Sequence, residues 1–422
     1  MNSWEAITLD EWVKTGNIEL GRGDVISKND INNYKGPYPI YSSSAHNNGK
    51  FGEYAKFMFD EELITWSVDG GGSLFYRPKH KFSVTNVCGF MRIKSDKLNA
   101  PFIYYSLANQ HKQLTFDYTT KAHPSVIRKL YWLPKIDVSI QEKISSILLT
   151  IDKSIEKTKA LIEKYQQIKA GLMQDLFTRG VDADGKLRPP REQAPELYQE
   201  TPVGWIPKNW DCTKLVNKAK PGVPHLRTGP FGSSLKGEHW VETGHPVITI
   251  GALGEGSFTS SELLFISDFD ARRLSDFQMK IDDVVFSRVA DVGRSVVIEA
   301  EQVGWIMSSN LMRISLDKEL ASSHFLQQQL SYDTRVKKQI RCKVNSGGRE
   351  VANSAILNSL LFVWPTINEQ NEIVRRADAL SARVHCERNK LNKLYNQKSG
   401  LMHDLLTGKM QVPINTTEAE HV

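Results

Sequence analysis

Five cations crowd a short stretch near residue 340: Arg335, Lys337, Lys338, Arg341 and Lys343 lead into Asn345-Ser346-Gly347-Gly348-Arg349-Glu350. Cations at this density hold phosphates, and a Gly-Gly turn lets main-chain amides approach one. A solvated helix face with its loop tip is the plain alternative. An earlier stretch carries Lys112, Lys121, His123 and Arg128, with Phe116 and Tyr118 between them; such rings either fill a core or stack on bases. Two loops offer polar groups that can read base edges. One is Ser42 to Lys50, where Ser43, His46, Asn47 and Lys50 present hydroxyl, imidazole, amide and ammonium groups; the other contains Ser233, Ser234 and Lys236. Arg288 and Arg294 flank Asp291-Val292-Gly293, where a guanidinium could pair with guanine O6 and N7 or simply form a surface ion pair. Trp66 to Gly72 occupies the corresponding place earlier in the chain.

Chemistry of other kinds finds no support. Gly229 to Lys236 lacks the adjacent Gly-Lys-Ser/Thr of a nucleotide-binding loop, and no Gly-rich turn opens a helix after a strand. Pro189-Pro190 is not part of an Asn-Pro-Pro-Tyr. Asp182, Asp184 and Lys186 resemble a nuclease triad only superficially, since an Asp-Gly turn accounts for them. Cys88, Cys212, Cys342 and Cys386 have no Cys-x-x-Cys spacing, so no metal is expected. A net charge of +6 and a pI near 8.9 permit a nucleic-acid partner without demanding one. No run reaches the ~20 apolar residues of a membrane span; the expected location is cytoplasmic.

Long helices must position these groups. Gly171-Leu172-Met173-Gln174-Asp175-Leu176-Phe177-Thr178 recurs as Gly400-Leu401-Met402-His403-Asp404-Leu405-Leu406-Thr407, and the same offset of 229 residues pairs Gln141 with Gln370. Ile144, Ile151, Ile155, Ile162, Leu172 and Leu176 advance in heptad steps, as do Ile373, Leu380, Val384, Leu391, Leu401 and Leu405. Thr158 and Lys169 interrupt the first seam where Glu387 and Lys398 interrupt the second. Each stretch is about 35 residues, or on the order of 50 Å of helix. If the two pack on each other, the polar breaks help set their register. Each helix follows a mixed domain, and the two domains share fragments: Trp4 and Leu9 match Trp210 and Leu215, Pro39-Ile40-Tyr41 matches Pro246-Val247-Ile248, and Phe90-Met91-Arg92-Ile93 matches Leu311-Met312-Arg313-Ile314. Short β-branched runs between Gly-rich turns predict α+β domains with a curved sheet.

At Gly229-Pro230-Phe231-Gly232-Ser233-Ser234-Leu235-Lys236 the chain resembles the specificity subunit of type I restriction-modification enzymes. Val203-Gly204-Trp205-Ile206-Pro207-Lys208-Asn209-Trp210 is similar to that family's domain start. Asn368-Glu369-Gln370-Asn371-Glu372-Ile373 is similar to its helix start, and Gly400 to Lys409 to its terminal helix motif. The first half departs from the pattern, having Ser139-Ile140-Gln141-Glu142 at the helix start and only Gly21-Arg22-Gly23-Asp24 in place of the Gly-Pro-Phe-Gly-Ser loop. The resemblance implies an α+β architecture of two tandem target-recognition domains, each followed by a long helix, with the helices forming an antiparallel coiled coil. The expected boundaries are domain 1–138, helix 139–180, linker 181–201, domain 202–367, helix 368–410 and flexible tail 411–422.

Such a chain is implied to be non-catalytic. It would bind a bipartite target in double-stranded DNA, one half-site per domain, while the helices dock two methyltransferase subunits and then restriction and translocase subunits. S-adenosylmethionine, ATP and Mg²⁺ would be used by those partners and not by this chain. Two alternatives stand beside this reading: a self-contained methyltransferase or nuclease with its own specificity domains, and a coiled-coil adaptor with no DNA role.

Overall fold

The structure is a computed structural model that describes residues 4–44, 46–69, 73–114, 121–222, 224–254, 256–344 and 351–413. The chain divides into two compact units, residues 1–161 with 387–422 and residues 162–386. Each unit therefore contains one mixed domain together with half of each long helix, so neither helix stands as a separate domain.

In the first unit a six-stranded sheet runs in the order Ile18–Arg22, Cys88–Ile93, Phe59–Ser67, Leu74–Val84, Tyr38–Tyr41, Lys50–Tyr54. Only the pairing of Tyr38–Tyr41 with Leu74–Val84 is parallel. The run Leu63-Ile64-Thr65-Trp66 is buried throughout, as a strand covered on both faces must be. Its core joins Ile64, Trp66 and Met91 of the sheet to Phe102 and Ile103 of the helix Ala100–His111, to Ile144 and Leu148, and to Met402 and Leu405.

The second unit keeps the same frame but divides it. Leu226–Thr228, Leu311–Ile314, Val284–Ser287 and Ser295–Val297 form one four-stranded sheet, and Trp240–Val241, Leu264–Ile266, His245–Ile248 and Ile306–Met307 form another. Again one pairing is parallel, His245–Ile248 with Ile306–Met307. The eleven-residue strand of the first domain is matched here by two short pieces. A 3-10 turn at Ala300–Gln302 and Gly304, with φ +87, interrupt it and split the sheet.

The central helix spans Val138–Thr178 and the terminal helix Ile367–Leu406, so each covers its whole seam and ends two to four residues before the expected boundary. Gly180 (φ +61) and Gly408 (φ +71) stop them in the left-handed conformation that glycine adopts without strain. Within the first unit the helices run antiparallel: Lys398 Nζ lies 2.6 Å from Asp152 Oδ1, and the Lys159 ammonium lies 5.8 Å from the Tyr395 ring. Ile144, Ile151, Ile155, Leu176, Ile373, Val384 and Leu405 are buried, and Ile162, Leu172, Leu380, Leu391 and Leu401 are half-buried. In the second unit Met173, Leu176 and Phe177 share a core with Ile373 and Ala377. The polar breaks behave differently from one another. Lys398 spans the helix pair, Lys169 instead donates to Tyr332 Oη at 2.7 Å, and Thr158 bonds its own helix at Ser154 O.

The segment 181–201, expected to be an exposed linker, is exposed along most of its length but anchored where Val181, Arg188, Ala194 and Tyr198 are buried. Arg188 makes a two-pronged, buried ion pair with Glu369, whose Oε1 also accepts from Val181 N (2.9 Å) and Trp210 Nε1 (3.1 Å). Tyr198–Thr201 then pairs as a strand with Gly204–Pro207. Composition conceals this because its polar groups are satisfied by a glutamate 181 residues away along the chain. Of the expected tail 411–422, the first three residues are described and are held at Val412 and Pro413. Val412 packs on the first core and Lys143 Nζ donates to Pro413 O at 2.7 Å; residues 414–422 lie outside the described residues.

Candidate nucleic-acid interface

In the second domain the loops that leave the sheet at one end converge. Gly229 N donates to Leu311 O (3.0 Å), closing the loop that follows Leu226–Thr228 against the start of the neighbouring strand. Arg288 N donates to Asn310 O (3.1 Å) and its Nη1 reaches Ser309 O (3.4 Å), while Ala352 N donates back to Arg288 O (2.8 Å). Thus the loops at 229–236, 288–294 and 351–352 meet around Ser309 and Asn310. Arg294 is tied down by an ion pair to Asp291 and by donation to Leu253 O (2.9 Å). Its plane is therefore held rather than free to search.

Beside these loops lies a cleft of about 620 Å³ whose walls include Gly254, Asp291, Arg294, Tyr332, Lys337 and Arg341. One wall is the helix Thr334–Val344. Val336, Ile340 and Val344 recur every four residues and are buried, which leaves Lys337, Lys338 and Arg341 on the exposed side. Lys343 is exposed as well. Arg335 departs from the sequence expectation, turning inward to pair with Asp333 (2.7 Å) and to donate to Phe177 O. Gln339 holds the other side of the helix, with Nε2 donating to Leu361 O (2.8 Å) and Oε1 accepting from Leu361 N (3.0 Å). Of the remaining candidates, Ser233 is exposed and Ser234 lends its carbonyl to Arg273 (2.9 Å). Lys236 faces Glu238 at 3.3 Å. Arg349 lies outside the described residues.

The first domain brings the loop 42–50 to the ends of strands of its own sheet. Ser67 Oγ donates to Ser43 O (2.8 Å) and Thr85 Oγ1 to Ser42 Oγ (2.9 Å), which joins the loop 42–50 to two strand ends. Asn47 (φ +49), Asn48 (φ +53) and Gly49 (φ +75) take the left-handed conformation in succession, a cost that asparagine and glycine tolerate best. A buried guanidinium braces that turn. Arg77 Nη2 donates to Asn48 O (2.8 Å), its Nε donates to Thr65 Oγ1 (3.0 Å), and its plane lies 3.6 Å from the Tyr41 ring centre. Burial lowers the Arg77 guanidinium to about 10, so it stays charged at neutral pH. His46 N bonds Ser44 Oγ, Lys50 pairs with Glu53 (2.6 Å) and Lys121 with Asp69 (3.0 Å). Lys112 is exposed at the end of the helix Ala100–His111. Phe116 and Tyr118 lie outside the described residues.

A family profile described as "Type I restriction modification DNA specificity domain" matches residues 1–167 and 227–396. The chain belongs to the type I restriction-modification DNA specificity family. Its role is DNA sequence recognition within a type I restriction-modification complex. The chain is 20% identical over 427 residues to the type I restriction enzyme MjaVIII specificity subunit of Methanocaldococcus jannaschii, covering 97% of this chain and 93% of that one. It is 32% identical over 154 residues to a putative type I specificity subunit of Mycoplasma pneumoniae, and that match spans 36% of this chain and 41% of the relative, under half of its length. Among solved structures, the S subunit of a type I restriction-modification system from M. genitalium shares the fold, with a TM-score of 0.63 at 15% identity over 98% of this chain and 97% of that one.

Several positioning residues of this specificity chain escaped the sequence reading. Gln110 and Gln339 are 229 residues apart and clasp Trp132 and Leu361 in the same two-bond manner. The repeat offset already contained that signal. Arg77 carried none, because the turn it braces is 29 residues away and an arginine in a strand is ordinarily a surface residue.

Proposed function

We propose that each target-recognition domain reads one half-site of a bipartite duplex target through the loops at its converging sheet end. The observation that carries this is the convergence itself: in the second domain Lys337 and Arg341 line one cleft with the fixed Arg294. Lysine and arginine side chains hold phosphates and so set register, while a guanidinium held in one plane and polar loop side chains read base edges. In the first domain the Arg77-braced turn displays Asn47 and its neighbours in the equivalent position.

The paired helices set the gap between half-sites and dock two methyltransferase subunits, to which restriction and translocase subunits are added. Methylation and cleavage, with their S-adenosylmethionine, ATP and Mg²⁺, belong to those partners. Support comes from family membership and from the lack of a nucleotide or methyltransferase motif in the chain. The complex works in the cytoplasm, where its DNA is; among the described residues no helix is long and apolar enough to cross a membrane.

Co-expression with the methyltransferase subunit and genome-wide mapping of methylated sites tests this reading. One split motif with a fixed gap is expected, and a single continuous motif would overturn it. Insertion of one helical turn after Lys157, with a matching turn after Arg388, should change the gap and leave both half-sites unaltered.

A further inference from the structure

The two most exposed large apolar side chains among the described residues are Phe231 (86%) and Val25 (77%). They stand at equivalent places in the two domains. Phe231 follows Gly229 by two residues and Val25 follows Gly23 by two. Gly229 N donates to Leu311 O (3.0 Å), and a Cβ on Gly229 would lie 1.9 Å from Ser308 O; Gly23 N donates to Cys88 O (3.1 Å), and a Cβ there would lie 1.9 Å from Val84 O. Both glycines are thus pressed against the main chain that leads into the matched strands Leu311–Ile314 and Cys88–Ile93. Each apolar side chain is carried outward from an anchored point.

Phe231 also sits on a rigid support. Pro230 and Leu235 are buried on either side of it, Ser234 N donates to Phe231 O (2.8 Å), and Arg273 holds Ser234 O (2.9 Å). Keeping a phenyl ring in water on a fixed turn forgoes the stabilisation that burial would bring. Its exposed chain neighbours Gly232, Ser233 and Lys236 are small or polar, which is poor material for the contiguous apolar patch of a protein interface. The strand connection that anchors Gly229, Ser308 to Leu311, also receives Arg288. A single ring on a braced turn among hydroxyls and cations matches the apolar wedges that enter a base stack.

We propose that Phe231 and Val25 are the apolar DNA contacts of the two target-recognition domains, Phe231 stacking on or inserting at a base step and Val25 packing on base edges. This rests on the DNA-recognition reading above. Contacts of this kind are sequence-tolerant, so they would add affinity and distort the duplex while neighbouring polar side chains discriminate bases.

The test uses the full chain in complex with its methyltransferase subunits and a duplex bearing the mapped target, with 2-aminopurine placed at successive steps of the half-site read by the second domain. Phe231→Ala should bind roughly ten- to a hundredfold more weakly and lose the fluorescence rise that reports unstacking, whereas Phe231→Trp should retain both. Val25→Asp should weaken binding through the other half-site. The ring is exposed, so Phe231→Ala should leave the unfolding temperature unchanged. Wild-type affinity and fluorescence in Phe231→Ala would overturn this proposal alone. Failure of Phe231→Ala to assemble with the methyltransferase would overturn it in favour of a protein-docking ring. A wild-type complex that bound no duplex would sink the recognition reading and this proposal with it.

Discussion

Gln141 and Gln370, 229 residues apart, make the same three hydrogen bonds. Gln141 Oε1 accepts from Asn99 N (2.9 Å), and its Nε2 donates to Lys97 O (3.0 Å) and Ile136 O (2.9 Å). Gln370 Oε1 accepts from Ser322 N (2.8 Å), and its Nε2 donates to Leu320 O (3.5 Å) and Pro365 O (2.9 Å). In both domains the amide that is accepted belongs to the N-cap of a core helix, Ala100–His111 or Ser323–Tyr332. One buried glutamine on the first turns of each long helix therefore ties that helix to the domain before it. Gln370→Leu should strand the buried Pro365 O at roughly 1–3 kcal/mol and free two part-buried groups, Ser322 N and Leu320 O, to water, a loss readable as a lower urea midpoint for the second unit. A midpoint unchanged from wild type would mean that water or relaxation replaces the clasp.

Glu369 neutralises Arg188 in a buried site where Val181 N and Trp210 Nε1 also donate to it. Removing only the acid leaves a guanidinium without its counter-charge. Glu369→Gln should cost about 3–5 kcal/mol, while adding Arg188→Met to it should recover most of that loss, because the glutamine amide oxygen can still accept from Val181 N and Trp210 Nε1. Limited proteolysis between residues 181 and 201 offers an independent readout, since the single variant should be cut faster than either wild type or the double variant.

Lys337 and Arg341 face the cleft from one side of the helix Thr334–Val344. If each holds a phosphate, Lys337→Ala and Arg341→Ala should each lower the slope of log affinity against log salt by about one. Binding should weaken about equally for all second half-site sequences. A change in preferred bases with an unchanged slope would instead make the residue a base reader.

Glu372 is held at about 2 by the Arg375 and Arg376 guanidinium groups. Its folded value lies below its ordinary 4.5, so its contribution is present above that value and disappears as the pH falls toward about 2. Glu372→Gln should remove that contribution. The stability of the variant, measured by denaturant titration between those two values, should then fall less steeply on acidification than that of wild type.

The repeat, the two seams and the positions of the long helices were legible in the chain because heptad spacing and a constant offset are local or periodic signals. Ile144, Leu176, Ile373 and Leu405 are buried where that spacing puts them. The basic face of Thr334–Val344 was legible for the same reason. Which of its cations turn inward was not: Arg335 binds Phe177 O, and that carbonyl belongs to a helix 158 residues away in the chain. Likewise the polar composition of 181–201 reads as linker until Glu369 supplies a buried partner, and Arg77 reads as a surface strand residue until the turn at Asn48 closes over it. Periodicity fixes which face of an element is apolar. Whether a polar group faces water or a buried counterpart depends on contacts that only the folded chain brings together, and at this site those contacts decide which cations remain available to DNA.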